Sequence, residues 1–249
     1  MPKSEPVLGI IPARYASSRF PGKPLVDLCG KPMIQRVWEQ AMKARSLDLV
    51  AVATDDRRIA QVVASFGGLA VMTPSSCVSG TDRIAVAARK LGMKARGIVV
   101  NIQGDEPLLP PAMIDQLVGM FKRKGTLMAT LQRPLGKGEY LDPNCVKVVT
   151  DKSGNALYFS RAAIPHRRDP ADTLANVGLH VGLYAYQAAF LQKLAKLKPT
   201  PLERLEKLEQ LRVLENGYSI AVGSSRGASV AVDTPADAAK VRRLIKRGA

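Results

Sequence analysis

Residues 7–25 read VLGIIPARYASSRFPGKPL, and the rest of the chain is arranged around them. Val7–Ile11 is a continuous apolar run of strand length, the pattern of a strand buried on both faces. After it the periodicity stops. Arg14, Arg19 and Lys23 crowd one short segment punctuated by Pro12, Pro21, Gly22 and Pro24, residues that make turns rather than helices. A cationic loop at the carboxyl end of a buried strand lies where open α/β sheets place their ligands. Small residues expose backbone N–H groups there, and three permanent cations beside Ser17 and Ser18 suit polyphosphate oxygens. The plainer alternative is a basic surface loop.

Strand and helix patterns alternate downstream. Leu49–Ala53, Leu69–Met72 and Ile98–Ile102 read as strands, and Met33–Lys43, Arg57–Ala64 and Asp82–Leu91 as helices. This alternation, with connections long enough for crossovers, predicts an α/β fold with a mostly parallel sheet flanked by helices. Right-handed crossovers then line the loops that follow the strands along one edge. Between Leu131 and Leu179 the pattern weakens. Pro134, Pro143, Pro165 and Pro170 separate shorter pieces such as Val146–Val149 and Ala156–Phe159. We read 1–249 as a single domain with an antiparallel insertion or sub-domain at about 131–186. Val241, Leu244 and Ile245 fall at helical spacing in Lys240–Ala249, which predicts an amphipathic terminal helix.

With 249 residues, 46% hydrophobic and 23% charged, the chain is long enough to bury a full core without disulfide or metal staples. The N-terminus lacks the apolar core of a signal peptide, and no 18-residue apolar run occurs, so membrane insertion is not expected. Cys29, Cys77 and Cys145 are an odd number without a CxxC pair, which suits reduced thiols in the cytoplasm. Two histidines make a His-based zinc site an unpromising reading. The excess of 37 basic over 21 acidic residues gives a formal charge of +16 and favours anionic partners. Aromatics are only 5% and none interleave with the basic clusters, which argues against a nucleic-acid surface.

Several loops collect polar groups after apolar runs. Thr54, Asp55 and Asp56 follow one strand; Ser79, Gly80, Thr81, Asp82 and Arg83 open a helix, with Thr81 or Ser79 as its cap. Gln103-Gly104-Asp105-Glu106-Pro107 ends the most apolar strand, where a carboxylate needs a partner: Arg, Lys or Mg²⁺. Asp105 as a helix cap or surface acid is the alternative. Val232-Asp233-Thr234-Pro235 repeats the arrangement near the C-terminus, and Asp233 alone is explained equally well by a helix start. Together the two acids suit Mg²⁺ on a nucleotide, which takes one or two carboxylates plus phosphate oxygens. In GLHVGLYAY, alternation puts His180, Gly182, Tyr184 and Tyr186 on one face, either a ligand-holding face or a polar solvent face. The leucines at 202, 205, 208, 211 and 214 are spaced by three, so they wind around a helix and predict a segment buried on several sides or broken in two. Glu209 returns toward the Leu202–Leu205 face, to pair with an arginine or to grip sugar hydroxyls.

IPARYASSRFPGKPL followed by GKPMIQRVWEQA, with VATDD, SGTDR, NIQGDEP, ALYFSRAAIP, PLERLEKLEQLRVLENG and VDTP, resembles the CMP-KDO synthetases, the 3-deoxy-manno-octulosonate cytidylyltransferases. The resemblance spans nearly the whole chain. It implies a Rossmann-like nucleotide-diphospho-sugar transferase fold with a mixed sheet and a lid and dimerisation insertion. It also implies a cytoplasmic, homodimeric, Mg²⁺-dependent nucleotidyltransferase that turns CTP and KDO into CMP-KDO and pyrophosphate for lipopolysaccharide biosynthesis. By position in the family pattern, Pro12, Ala13, Arg14, Arg19, Lys23, Ser79, Arg83 and Gln103 bind the nucleotide. Gln103, Arg161, His180, Tyr184, Glu209 and Gln210 read the sugar, with Arg161 facing its carboxylate. Asp105 and Asp233 hold Mg²⁺, and Arg14, Lys23, Asp105 and Asp233 are the catalytic set. The alternatives are a synthetase for another acidic sugar, such as 8-amino-KDO or sialic acid, a nucleoside-diphosphate-sugar pyrophosphorylase, whose GxGxRL-type loop is absent here, and, outside enzymes, a basic nucleic-acid binder. VDTP is followed by Ala236 rather than an acid, and residues 167–178 match no recognisable lid pattern.

Overall fold

A computed structural model describes residues 5–16, 20–169, 173–174, 177–225, 227 and 229–248. Its centre is the apolar strand of the opening motif, β1 (Val7–Ala13). Parallel to it on one side runs β2 (Leu49–Thr54), with β3 (Leu69–Met72) beyond; on the other side is β4 (Ile98–Asn101), also parallel. The sheet continues through β5 (Met128–Pro134), β8 (Val177–Gln187) and β9 (Ala221–Ser224), giving the order β3-β2-β1-β4-β8-β5-β9. β8 is antiparallel to both β4 and β5, and β9 is parallel to β5. A hairpin of β6 (Lys147–Thr150) and β7 (Ala156–Ser160) joins the first part of β8 through β6. The sheet is thus mixed.

Side-chain alternation along β1 divides the interior. Leu8 and Ile10 face a core built with α3 (Gly80–Lys90), α5 (Ala188–Leu194) and α7 (Leu211–Glu215); Val7, Ile11 and Ala13 face one built with α1 (Met33–Ala41), α2 (Arg57–Ser65) and α4 (Pro111–Gly119). Each fully buried Ile, Leu or Val contributes about 1.5–3 kcal/mol, so both faces must be covered. This explains why β1 carries no polar alternation. A third, smaller core packs Ala238 and Val241 of α8 (Pro235–Lys246) on Leu28, Met33 and Val232. Arg242 reinforces it with hydrogen bonds of 2.9 and 2.7 Å to the Asp27 carbonyl. These contacts fix the start of α8 next to the loop after β1.

Three points that the sequence left open are decided by local physical causes. α3 begins at Gly80 because Ser79 caps it in a box with Asp82, ahead of the first apolar residue. The leucine-rich stretch breaks in two: α6 (Pro201–Glu206) ends at Lys207 with φ 55°, and α7 restarts at Leu211. Leu205 is exposed while Leu208 and Leu211 are buried. In β8 the alternation persists, but its even-numbered face is not a solvent face: Tyr186 is buried in the first core. Register with β5 jumps from Thr130↔Tyr184 to Leu131↔Val181, so Gly182 and Leu183 bulge.

Candidate active site

The loop after β1 closes on itself. Gly22 N donates to the Tyr15 carbonyl at 3.0 Å and Lys23 N to that of Phe20 at 3.1 Å. Gly22 has φ 69°, and a Cβ on it would meet the Tyr15 ring at 3.2 Å, so glycine is required. A short 3₁₀ turn, Lys23–Leu25, follows and directs Lys23 at the loop after β4. That loop lies against the first because residue 104 lacks a side chain: a Cβ on Gly104 would stand 2.8 Å from the Pro12 carbonyl. The Asp105 carbonyl in turn accepts from Val232 N at 2.8 Å, which ties on the loop before α8. Thr234, not Asp233, caps α8, in a box with Asp237. Asp233 is therefore released from the capping role that sequence alone allowed it.

Among the described residues, three side chains meet here. Lys23 Nζ lies 2.8 Å from Asp105 Oδ2 and 3.1 Å from Asp233 Oδ1. Two carboxylates from distant parts of the chain converge on one cation. No group of three or more His, Cys, Asp or Glu placed to hold a metal ion occurs among the described residues, but Mg²⁺ asks little more of a protein than two carboxylates, since phosphate and water supply the rest. The pair already holds a cationic group between its oxygens, so its donor set fits that ion. Beside it is a carboxyl the sequence reading missed. Burial, and the adjacent Asp105, push Glu106 up to about 7. The signal was the second acid of DEP, next to a strand too apolar to leave it exposed.

Pro12, Ala13, Arg14, Lys23, Ser79, Arg83, Gln103 and Asp105 all line one cavity of about 280 Å³. A second cavity, of about 410 Å³, shares Arg14 and Arg83 with it and is bounded by Tyr15, Asp55 and Arg58. Their combined size is in the range of small-molecule sites. Arg19, with Ser17 and Ser18, lies outside the described residues. Arg83 is almost fully buried, and its guanidinium donates to Thr73 Oγ1 at 2.6 Å and Asp55 Oδ2 at 3.1 Å. Asp55 is thus its counter-ion, a pairing across 28 residues that no local pattern announces.

Ser79 connects this cavity to a second group of residues. Its hydroxyl donates to Glu209 Oε1 at 3.1 Å, and Thr81 donates to Oε2 at 2.8 Å. Burial raises the Glu209 pKa against those hydrogen bonds. Arg212, the buried arginine nearby, does not pair with it but forks onto Glu203 at 2.7 and 2.5 Å. Tyr184, Glu209 and Gln210 line a small cavity with Thr81. Gln210 is buried there and its Nε2 makes no hydrogen bond among the described residues, a donor that costs about 1–3 kcal/mol unless a ligand accepts from it. Gly182 leaves space, since a Cβ there would meet nothing within 4 Å.

Arg161 sits differently. Its Nε donates to the Glu206 carbonyl at 2.8 Å and its Nη1 to that of Pro143 at 3.2 Å; it lines neither the cavity around Lys23 nor the Glu209 cavity. Ser160 and the Arg161 N–H both donate to the Glu206 carboxylate, at 2.6 and 2.9 Å. Fully buried Lys147 donates to the carbonyls of Arg161 and Asp142 at 2.6 and 2.8 Å, and burial lowers its pKa. These bonds hold the end of β7 against the end of α6.

His180 packs its ring 5.1 Å from Phe159 and 5.3 Å from Tyr184. The Thr130 hydroxyl donates across the bulge to the Leu183 carbonyl at 2.9 Å and has His180 Nε2 at 3.2 Å; with that proton committed, Nε2–H donates to Thr130. Burial lowers the imidazole pKa to about 3. Below pH 6.5 the unfolded chain therefore takes up a proton that the folded one refuses, and stability falls as pH falls. From pH 7 to 5, urea unfolding of the native protein is expected to lose about 2 kcal/mol more than that of His180→Gln. Equal losses would show that His180 is not held neutral.

A cytidylyltransferase family profile matches residues 8–220, and the chain belongs to the cytidylyltransferase family. A 3-deoxy-manno-octulosonate cytidylyltransferase from Anaeromyxobacter sp. (strain K) is 53% identical over 241 residues, covering 96% of this chain and 98% of that protein. One from Syntrophobacter fumaroxidans is 54% identical over 233 residues, covering 93% of each. Among solved structures, a CMP:2-keto-3-deoxy-manno-octonic acid synthetase complexed with CTP superimposes with a TM-score of 0.92 at 41% identity, covering 98% of this chain and all of that one.

Proposed function

We infer that this chain is the nucleotidyltransferase that activates KDO with CTP, giving CMP-KDO and pyrophosphate. One observation carries the reading: a cleft at the carboxyl ends of β1 and β4 brings cations and two acids to one point, in a chain about half identical to named 3-deoxy-manno-octulosonate cytidylyltransferases. The sugar's anomeric hydroxyl attacks the α-phosphorus of CTP; the new P–O bond forms as the bond to the β-phosphate oxygen breaks, pyrophosphate leaves, and the hydroxyl proton passes to water. Phosphoryl-type transfer depends mainly on positioning and charge neutralisation. Arg14, Arg19 and Lys23 grip the triphosphate. Pro12, Ala13, Ser79, Arg83 and Gln103 receive the cytidine. His180, Tyr184, Glu209 and Gln210, with Gln103, receive the sugar, and Arg161 reads its carboxylate after exchanging its carbonyl partners. Asp105 and Asp233 hold Mg²⁺, which when bound neutralises phosphate charge and lowers the attacking hydroxyl's pKa.

No helix among the described residues is long and apolar enough to cross a membrane. We place the enzyme in the cytoplasm, a reading supported by three unpaired cysteines and by its use of CTP. We treat residues 131–186 as a lid and dimerisation region of a single domain. Support comes from exposed Leu141 and Leu157 there and Leu205 on α6, apolar surface of the kind a second copy covers. The test of acceptor choice is pyrophosphate release with CTP and Mg²⁺, comparing KDO, sialic acid, sugar 1-phosphates and no acceptor. Release with KDO alone, stopped by EDTA, is expected. Release only with another acceptor would retain the nucleotide half and remove the assigned sugar roles.

A further inference from the structure

Lys23 is assigned to the triphosphate, yet in the nucleotide-free protein its ammonium is spent on the acids. It is only 15% exposed, and it touches Asp105 and Asp233 at 2.8 and 3.1 Å. Two converging carboxylates repel one another, and a positive group between them removes that cost. A divalent cation brought to the same pair of carboxylates would have to sit beside the ammonium. Mg²⁺ needs its oxygen ligands at about 2.0–2.1 Å, which would set it close against an ammonium only 2.8 Å from Asp105 Oδ2, a strong repulsion away from bulk water. The backbone of Lys23 is pinned, since its N–H bonds to Phe20 and its carbonyl accepts from Val26 N at 3.2 Å. The four-carbon side chain remains free to turn about that anchor. Arg14 lines the same cavity wall, so the triphosphate would arrive within reach of the lysine.

We propose that Lys23 is the resident counter-ion of the Asp105–Asp233 pair: it keeps the two carboxylates converged, excludes a divalent cation while the cleft is empty of nucleotide, and moves to the phosphates when nucleotide and metal arrive together. The inference rests on the reading of Asp105 and Asp233 as the metal carboxylates. It assigns Lys23 a positioning role besides phosphate binding, and it disfavours a metal-first order of binding.

The test is Mn²⁺ binding to the nucleotide-free protein, followed by the EPR signal of free Mn²⁺, for the native chain, Lys23→Met, Lys23→Arg and Lys23→Met/Asp105→Asn, with far-UV circular dichroism to establish folding. Removing a unit charge at this distance is expected to tighten Mn²⁺ binding at least about tenfold in Lys23→Met. Lys23→Arg, which keeps the charge, should stay as weak as the native protein, and adding Asp105→Asn should abolish the gain. Should Lys23→Met misfold, a native-weak Lys23→Gln, which is also uncharged, would overturn the proposal and a tightened one would uphold it. Unchanged affinity in folded Lys23→Met, with Asp105-dependent Mn²⁺ binding in both proteins, would overturn the lysine's role and leave the metal carboxylates standing. Absence of any Asp105-dependent binding in any variant, with CTP or without, would remove the carboxylate reading and the proposal with it.

Discussion

Asp105→Asn is expected to lower kcat by about 10³-fold or more while leaving the protein folded, because charge neutralisation at transferring phosphoryl groups contributes several kcal/mol of the barrier. Asparagine has the same shape. The backbone bond from Val232 N to the residue-105 carbonyl, the close passage of Gly104 past Pro12 and the capping of α8 by Thr234 do not involve the carboxylate charge. The thermal midpoint should therefore move little. Asp233→Asn should be impaired similarly, and the double variant should be only slightly worse than either single one, since the two oxygens serve one cation and their effects do not add. Steady-state kinetics with CTP and KDO, beside a thermal melt, distinguishes this from a structural defect. Additive losses would mean that the two acids act separately.

The largest effect on stability is expected at Arg212. Its side chain is 9% exposed and that of Glu203 12%, and the two form a fork with bonds of 2.7 and 2.5 Å while Arg212 Nη1 also donates to the Leu197 carbonyl at 3.0 Å. Removing one partner of such a pair strands a buried charge and costs about 3–5 kcal/mol. Arg212→Met should lower the melting temperature by on the order of 10 °C in a domain of this size. Glu203→Gln in the same chain should restore part of the loss, because it removes the stranded charge and keeps an acceptor for the capping contact from Thr200 N. Glu209 and Gln210 lie in the turn between α6 and α7, so the single variant should also raise KM for the sugar more than for CTP. Failure of the second substitution to recover any stability would show that packing of the arginine stem, not the charge, carried the effect.

Elements whose burial repeats along the chain were legible in the sequence. β3 was read with its observed limits, and β1, β2, β4, α1 and α2 to within a few residues, since each is a buried run or a single amphipathic face. β9 was not, because four residues ending in Gly223 and Ser224 carry too little apolar signal. The bulge in β8 was hidden because its two extra residues preserve alternation. At the site, local chemistry pointed to Lys23, Asp105 and Asp233 separately. Their meeting was not visible, because it depends on α8 docking on Leu28 and Met33 and on an absent Cβ at Gly104. The same limit hid Asp55 behind Arg83 and Glu206 behind Arg161: these pairs join distant turns, and periodicity says nothing about which turns meet.

In this cleft the sugar's own oxygen is expected to attack the α-phosphorus of CTP. The most direct measurement equilibrates KDO in ¹⁸O-water, so that its anomeric hydroxyl is labelled, reacts it briefly with CTP, Mg²⁺ and the purified protein, and reads the isotope shift of the product by ³¹P NMR. The expected result is CMP-KDO with ¹⁸O in the bridge between sugar and phosphorus, and unlabelled pyrophosphate. An unlabelled bridge, or pyrophosphate formed without any CMP-sugar, would contradict it.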